Sequence, residues 1–240
     1  MAADRPILLV EHDPNNPPGT LIDWFDEMRV AHETLRPHAG DAFPADGSAY
    51  AATIMLGGAP SVNSTDGFAW RDDTIAFIQR AVADEHPMLC LCLSSQVLAY
   101  AMGGRVERGA HGREVGAMLA GRKDVSYSDE LFSVLPMAPD VIEFHGEAIT
   151  ALPPGAVHLM GGPVYDNQAF RVGSRAWGMQ FHIETTPAMF AHWAELARPS
   201  LERKGMDVDL LIERATAVHP DLEEVWKPFV RRFAEIAGVA

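Results

Sequence analysis

Met88-Leu89-Cys90-Leu91 is a four-residue run with no polar face, opened by Pro87. It leads almost directly into Gln96 to Met102, patterned as a short helix closed by Gly103-Gly104. A strand that is apolar on both sides belongs inside a sheet whose two faces are both covered. Two similar runs precede it. Pro6 to Val10 ends at Glu11-His12-Asp13 and a Pro-rich loop from Asn15 to Gly19, and Ala49 to Leu56 ends at Gly57-Gly58. Helical patterns lie between them. Leu21, Trp24, Phe25 and Met28 repeat on one helical face, with Thr20 placed to cap it. Arg71 to Ala83 carries Ile75, Ile78 and Val82 on a second stripe. Strand and helix therefore alternate, which predicts an α/β fold with a mostly parallel central sheet flanked by helices.

The middle of the chain reads differently. Val141 to Phe144, Val157 to Met160 and Ala169 to Val172 are short extended pieces separated by Pro and Gly. They suggest antiparallel or mixed additions to the sheet. Ala176 to His182 follows as another strand, and then the pattern turns helical over Met189–Ala197, Val208–Ala217 and Leu222–Ala237. The expected organisation is one α/β domain over residues 1–197 and a helical C-terminal extension over 198–240, packed on the same domain. That extension has apolar stripes, Leu210, Leu211, Ala215 and Val218, then Val225, Phe229 and Phe233. The alternative occupant of those stripes is a partner or a second copy of the chain.

A chain of 240 residues can bury a large core without a disulfide or metal staple. Its 19 Lys+Arg against 33 Asp+Glu give a net charge of −14, which repels phosphate backbones and anionic membrane surfaces. Neither nucleic acid nor membrane is expected as a partner. The two cysteines, Cys90 and Cys92, are too close in the chain for an ordinary disulfide, which suits a reducing compartment. Ile7 to Val10 is too short for a signal-peptide core, and no later stretch approaches about 18 apolar residues. The expected location is the cytoplasm.

Three segments carry chemistry. Cys92 sits where the buried strand meets a helix, a turn that exposes a nucleophile and places the next N–H, that of Leu93, toward a developing oxyanion. The alternative is that both cysteines are small core hydrophobes. In Ala176 to Thr185, His182 and Glu184 are two residues apart, so a strand would project them to one side, the carboxylate orienting the imidazole. Gly57-Gly58 closes a buried strand and lets backbone approach a ligand, or is an ordinary turn.

In this order, these segments resemble the class I (triad) glutamine amidotransferases, a flavodoxin-like fold. The family's nucleophile elbow, Gly-x-Cys-x-Gly-x-Gln, is here Cys90-Leu-Cys92-Leu-Ser94-Ser95-Gln96, so two glycines are replaced by Cys90 and Ser94. Its His-Pro-Glu is here His182-Ile183-Glu184, preceded by Gly178-Met-Gln180-Phe181, and its Gly-Gly strand end is Gly57-Gly58. Glu114-Val-Gly116, Phe144-His-Gly-Glu147 and Gln168-Ala-Phe-Arg171 are further matches, the last similar to stand-alone members akin to the amidotransferase part of GMP synthase. The resemblance spans roughly residues 5 to 195.

The resemblance implies that Cys92 attacks the side-chain amide of glutamine. His182 would shuttle the proton, Glu184 would orient His182, and the N–H groups of Gly58 and Leu93 would form the oxyanion hole. It further implies that Gly57, Gln96 and the backbone near His145 and Gly146 hold the glutamine. No metal or organic cofactor is implied. A metal cluster of His145, His182 and Glu184 is the rival reading, and its spacing matches no common zinc motif. The partner implied is an acceptor synthase subunit or a second copy. A γ-glutamyl peptidase with the same triad and a non-catalytic binding module are the alternative functions.

Overall fold

The computed structural model describes residues 5–240. Its first part runs β1 (Ile7–Val10), α1 (Thr20–Met28), β2 (His32–Leu35), β3 (Ala52–Met55), α2 (Arg71–Ala83), β4 (Met88–Leu91) and α3 (Leu93–Ala101). Short strands follow: β5 (Arg105–Arg108), β6 (Glu114–Leu119), β7 (Gly121–Arg122), β8 (Asp140–His145), β9 (Glu147–Ala151), β10 (Val157–Gly161), β11 (Ala169–Val172) and β12 (Ala176–Met179). Two helices complete the chain, α4 (Pro187–Glu202) and α5 (Val208–Ala237).

The eight-stranded sheet has the order β2-β1-β3-β4-β12-β11-β10-β7. The first five of these strands run parallel, and β11, β10 and β7 add on antiparallel. The apolar runs fill the centre: β1, β3 and β4 are buried at every position. Helices on both faces leave no solvated side, which is why these strands do not alternate. Two antiparallel pairs, β5-β9 and β6-β8, stand outside the main sheet.

Register places the chemistry. Cys90 lies beside Gly178 and Leu91 beside Met179, so β4 and β12 end level with each other. Cys92 N–H then donates to Met179 O at 2.8 Å, and the segments carrying Cys92 and His182 leave the sheet side by side. In the β6-β8 pair, Glu114 lies opposite His145.

The sequence reading did not include β2, β5, β6, β7 or β9, and four of the features it did expect differ in the structure. β12 ends at Met179 rather than His182. The chain bends away to form a lone bridge with β8, His182 N–H donating to Ile142 O at 2.8 Å. α3 begins at Leu93 rather than Gln96, because Ser94 and Ser95 turn their hydroxyls onto backbone carbonyls instead of breaking the helix. Thr20 does not cap α1. Gly19 takes that position, and the Thr20 side chain serves Glu184 instead. Finally, the last helical stretch is one helix that continues through Pro220 and Pro228. A proline deletes one helical hydrogen bond, but packing on both sides outweighs that loss.

That packing is extensive. Trp226, Phe229 and Phe233 of α5 are fully buried, against Phe181, Phe132 and Trp177 respectively. Trp226 Nε1 donates to Asp140 O at 2.9 Å. Each such aromatic contributes about 1.5–3 kcal/mol on burial. The helix thereby backs the strand and loop that carry His145 and His182. No helix of the described residues is long and apolar enough to cross a membrane.

Candidate active site

Cys92 occupies the turn between β4 and α3 with φ 47° and ψ −108°. A non-glycine residue in that region costs on the order of 1–3 kcal/mol and persists only when its surroundings hold it. Here they do. Its N–H is bound to Met179 O, and its carbonyl accepts from Gln96 N–H at 3.1 Å and Ser95 Oγ at 2.7 Å. Ser94, standing where the family has glycine, donates from Oγ to Leu56 O at 2.5 Å and so ties the elbow to the end of β3. Cys92 is 6% exposed and opens on a cavity of about 790 Å³. Cys90 faces the core inside β4, and burial pushes its thiol pKa up.

His182 and Glu184 meet although no strand carries them. His182 Nδ1 lies 2.7 Å from Glu184 Oε1, and both are buried. Glu184 Oε2 accepts from Ile183 N–H at 3.0 Å and Oε1 accepts from Asn16 Nδ2 at 3.1 Å. The backbone of Glu184 is clamped as well: its carbonyl accepts from Thr20 N–H at 2.9 Å and Thr20 Oγ1 at 3.2 Å. Gly19 makes that contact feasible. Its φ is 55°, and a Cβ there would stand 1.9 Å from Glu184 O. The Trp193 ring, 4.8 Å from the imidazole centroid to centroid, closes the other side.

Charge follows geometry. Burial opposes protonation of His182, but its interactions with Glu184 and then with Cys92 outweigh it and hold the imidazole pKa well above its usual value. Burial likewise opposes ionisation of Glu184, yet the His182 charge and hydrogen bond keep its pKa below the usual range. Cys92 and His182 also flank Gly57 together. A Cβ on Gly57 would lie 2.8 Å from His182 Cε1 and 3.2 Å from Cys92 Cβ. Space, not an unusual φ, therefore demands glycine here, since neither Gly57 nor Gly58 has a positive φ. Gly58 stands beside Leu93, 3.2 Å from its Cδ2 if a Cβ is added. Among the described residues, neither the Gly58 N–H nor the Leu93 N–H meets a protein acceptor.

Gln96, His145 and Gly146 all line the cavity. The Gln96 Nε2 group is spent on Glu147 O and Gln180 Oε1, both at 3.2 Å, and Gln180 Nε2 reaches toward Cys92 Sγ at 3.9 Å. The His145 ring points its nitrogens elsewhere: Nδ1 is 2.7 Å from Glu147 O, and Nε2 is 2.9 Å from Glu114 Oε2 and 3.1 Å from Glu143 Oε2. Donor atoms of Glu114, Glu143 and His145 lie within 4.8 Å of one another, close enough to share a cation. This is not the set His145, His182 and Glu184 of the rival metal reading. Asn16, Trp193 and Glu143 escaped the sequence reading. Asn16 hid in a Pro-rich loop, and the one signal for Glu143 was a charge inside the apolar run Val141–Phe144.

A flavodoxin-like parallel sheet, ordered 2-1-3-4 with β12 as its fifth strand, holds a thiol, an imidazole and a carboxylate together at the carboxyl ends of its strands. The sequence profile of the family described as "Glutamine amidotransferase class-I" matches residues 28–193, and the chain belongs to that family. A glutamine amidotransferase from Thermotoga maritima is similar over 98% of this chain and 99% of its own, with TM-score 0.84 and 26% identity. A glutamine amido transferase from Methylobacillus flagellatus shares the fold, with TM-score 0.78, 24% identity and 95% of both chains covered. The GMP synthase [glutamine-hydrolyzing] of Porphyromonas gingivalis is 35% identical over 99 residues, 41% of this chain and 19% of that protein. The chain thus matches about a fifth of the length of these curated relatives.

Proposed function

We propose that the protein hydrolyses the side-chain amide of glutamine through a thioester on Cys92. The observation that carries this reading is that the strained Cys92 turn and His182 line one cavity, with His182 Nδ1 2.7 Å from Glu184 Oε1. His182 takes the thiol proton as Cys92 Sγ attacks the amide carbon. The C–N bond breaks, and His182 returns the proton to the departing ammonia. Water then attacks the thioester, giving glutamate and the free thiol. Glu184 stabilises the imidazolium and selects the tautomer whose Nε2 faces the thiol. The N–H groups of Gly58 and Leu93 receive the oxyanion, and a preorganised donor of this kind is worth roughly 10²–10³ in rate. Gly57 lets His182 and Cys92 approach, and Gln96 with the backbone at His145 and Gly146 lines the glutamine site. The ammonia acceptor expected is a synthase subunit or a second copy of this chain.

A second reading has its own support. The cavity, at about 790 Å³, falls in the roughly 300–1,000 Å³ range that accommodates ligands larger than one amino acid. Arg108, Arg113 and Lys204 line it, and none of them pairs with a carboxylate among the described residues. A γ-glutamyl peptide with an anionic leaving group fits those features. Parallel assays of ammonia release from glutamine and amino-acid release from γ-glutamyl dipeptides decide. Faster turnover of the dipeptide would replace the first reading with the second. No turnover of either, with Cys92 inert to a glutamine-like alkylating agent, would leave a binding module.

A further inference from the structure

Gly146 lies where two antiparallel pairs meet. In the β5-β9 pair Arg108 stands beside Glu147, and in the β6-β8 pair Glu114 stands beside His145. The turn from Gly109 to Gly112 joins β5 to β6 across that point, and Arg108 and Arg113 flank it. Hydrogen bonds pin the turn in place. Gly109 N–H donates to Gly146 O at 2.9 Å, and Gly112 N–H donates to Gly109 O at 3.1 Å. Tyr165 Oη donates to Gly112 O at 2.6 Å and accepts from His111 N–H at 3.0 Å. Gly112 has φ 91°, a conformation that favours glycine. Both arginines line the cavity onto which Cys92 opens.

Arg113 is the better placed of the two. Its guanidinium lies over the Phe144 ring, 5.6 Å from Cζ to the centroid, and its Nε would stand 3.5 Å from a Cβ on Gly146. Phe144 packs on Trp193 at 5.6 Å, and Trp193 on His182 at 4.8 Å, centroid to centroid. One aromatic shelf thus runs from the imidazole to the guanidinium. Stacking leaves the N–H groups at the guanidinium edge unspent: among the described residues, Arg113 makes no side-chain hydrogen bond and no ion pair. The carboxylates that share the cavity are committed elsewhere. Asp13 accepts from Asn15 N–H at 2.8 Å and Ala59 N–H at 2.9 Å, and both Glu147 oxygens take the Ser61 hydroxyl, at 2.8 and 2.9 Å. In a chain of net charge −14, a half-buried arginine in the catalytic cavity is therefore left without an anion. Its planar fork matches a carboxylate through two parallel bonds. We propose that Arg113 is a specificity-determining residue whose guanidinium binds a carboxylate of the substrate, a role that rests on the Cys92 thioester reading. That carboxylate belongs either to the α-carbon of the glutamyl group or to the leaving amine of a γ-glutamyl peptide.

Two substrate pairs separate the sources: glutamine with its α-amide, and γ-glutamylglycine with γ-glutamylglycinamide. Each is assayed with the wild type and with Arg113→Gln, using circular dichroism as the folding control. If Arg113 meets the glutamyl carboxylate, the wild type should lose about 10–100-fold in kcat/KM on the α-amide relative to glutamine, mostly through KM. Arg113→Gln should lose as much on glutamine and nothing further on the α-amide. If Arg113 meets the leaving group, the same pattern falls on the glycine pair and glutamine is unaffected. Losses that simply add in both pairs overturn the proposal, because the arginine and the carboxylate are then uncoupled. Unchanged kinetics in a folded Arg113→Gln overturn it as well. If Arg113→Gln does not fold, Arg113→Lys carries the same cycle, since it keeps the charge and loses the fork; the coupling should then shrink without vanishing, and full additivity again overturns the proposal. If the wild type turns over none of the four, the Cys92 reading has failed by itself. Calorimetric titration of the same four compounds then runs the cycle on affinity, and an affinity that ignores both carboxylates overturns the role of Arg113.

Discussion

The bend after β12 and the β6-β8 ladder each bury a histidine against glutamate, yet they build opposite tools. In the bend, His182 has one carboxylate at 2.7 Å on one nitrogen. In the ladder, both His145 nitrogens are engaged, at 2.7 Å by a carbonyl and at 2.9 Å by a carboxylate. A ring with one free nitrogen can move a proton; a ring with both nitrogens engaged cannot pass one on without breaking a contact. The difference is geometric rather than chemical, since the residue types are the same.

The strongest way to break the comparison is to remove the ring that moves protons. His182→Asn should lower glutamine hydrolysis by about 10²–10⁴, whereas Glu143→Gln, one step removed, should cost less than about tenfold, or 1.36 kcal/mol. Ammonia release at saturating glutamine, with circular dichroism as the folding control, compares the two. Equal losses would erase the distinction. Next in size is Glu184→Gln, which keeps the shape but loses the charge. The corresponding change in a serine triad costs about 10⁴, and a thiol at a helix N-terminus needs less help, so roughly 10–10³ is expected. A folded variant within about twofold of wild type would remove Glu184 from the mechanism.

Asn16 sharpens the contrast further. It donates to Glu184 Oε1 at 3.1 Å and touches neither thiol nor imidazole by hydrogen bond. Losing one hydrogen bond to a charged group costs about 1.5 kcal/mol, so Asn16→Ala should reduce kcat about tenfold and leave KM unchanged. A rise in KM alone would place Asn16 in substrate binding instead.

The smallest effect is on stability, and its sign separates the two regions. The His145 pKa rises from 6.5 to about 10 on folding, so its contribution is complete below pH 6.5 and is lost as pH climbs through about 10. The Glu184 pKa falls below 4.5, so its contribution is complete above pH 4.5 and is lost on acidification. Urea denaturation across pH should show His145→Gln flattening the alkaline limb and Glu184→Gln the acid limb. Each limb has a slope of at most about 1.4 kcal/mol per pH unit. Both variants flattening the same limb would show that the two clusters titrate as one.

Much of this was legible in the residues. The apolar runs Pro6–Val10, Ala49–Leu56 and Met88–Leu91 hold adjacent strands of the parallel sheet, Ile7–Val10, Ala52–Met55 and Met88–Leu91, and Arg71–Ala83 is a helix over the expected residues. Those features depend on periodicity, which neighbours in the chain decide. Cys92 stood out for the same reason, because a strand-to-helix junction is local. His182 and Glu184 touch, but not along a strand as expected: the strand has already ended, and Asn16 and Thr20 hold the bend from 168 and 164 positions away. Likewise, nothing near His145 in the chain announces Glu114, 31 positions earlier, which only the β6-β8 register sets opposite it. Local sequence determined where a thiol, an imidazole and a carboxylate could be offered. Tertiary structure decided which nitrogen of each histidine was left free, because that depends on acceptors brought in by distant strands and loops.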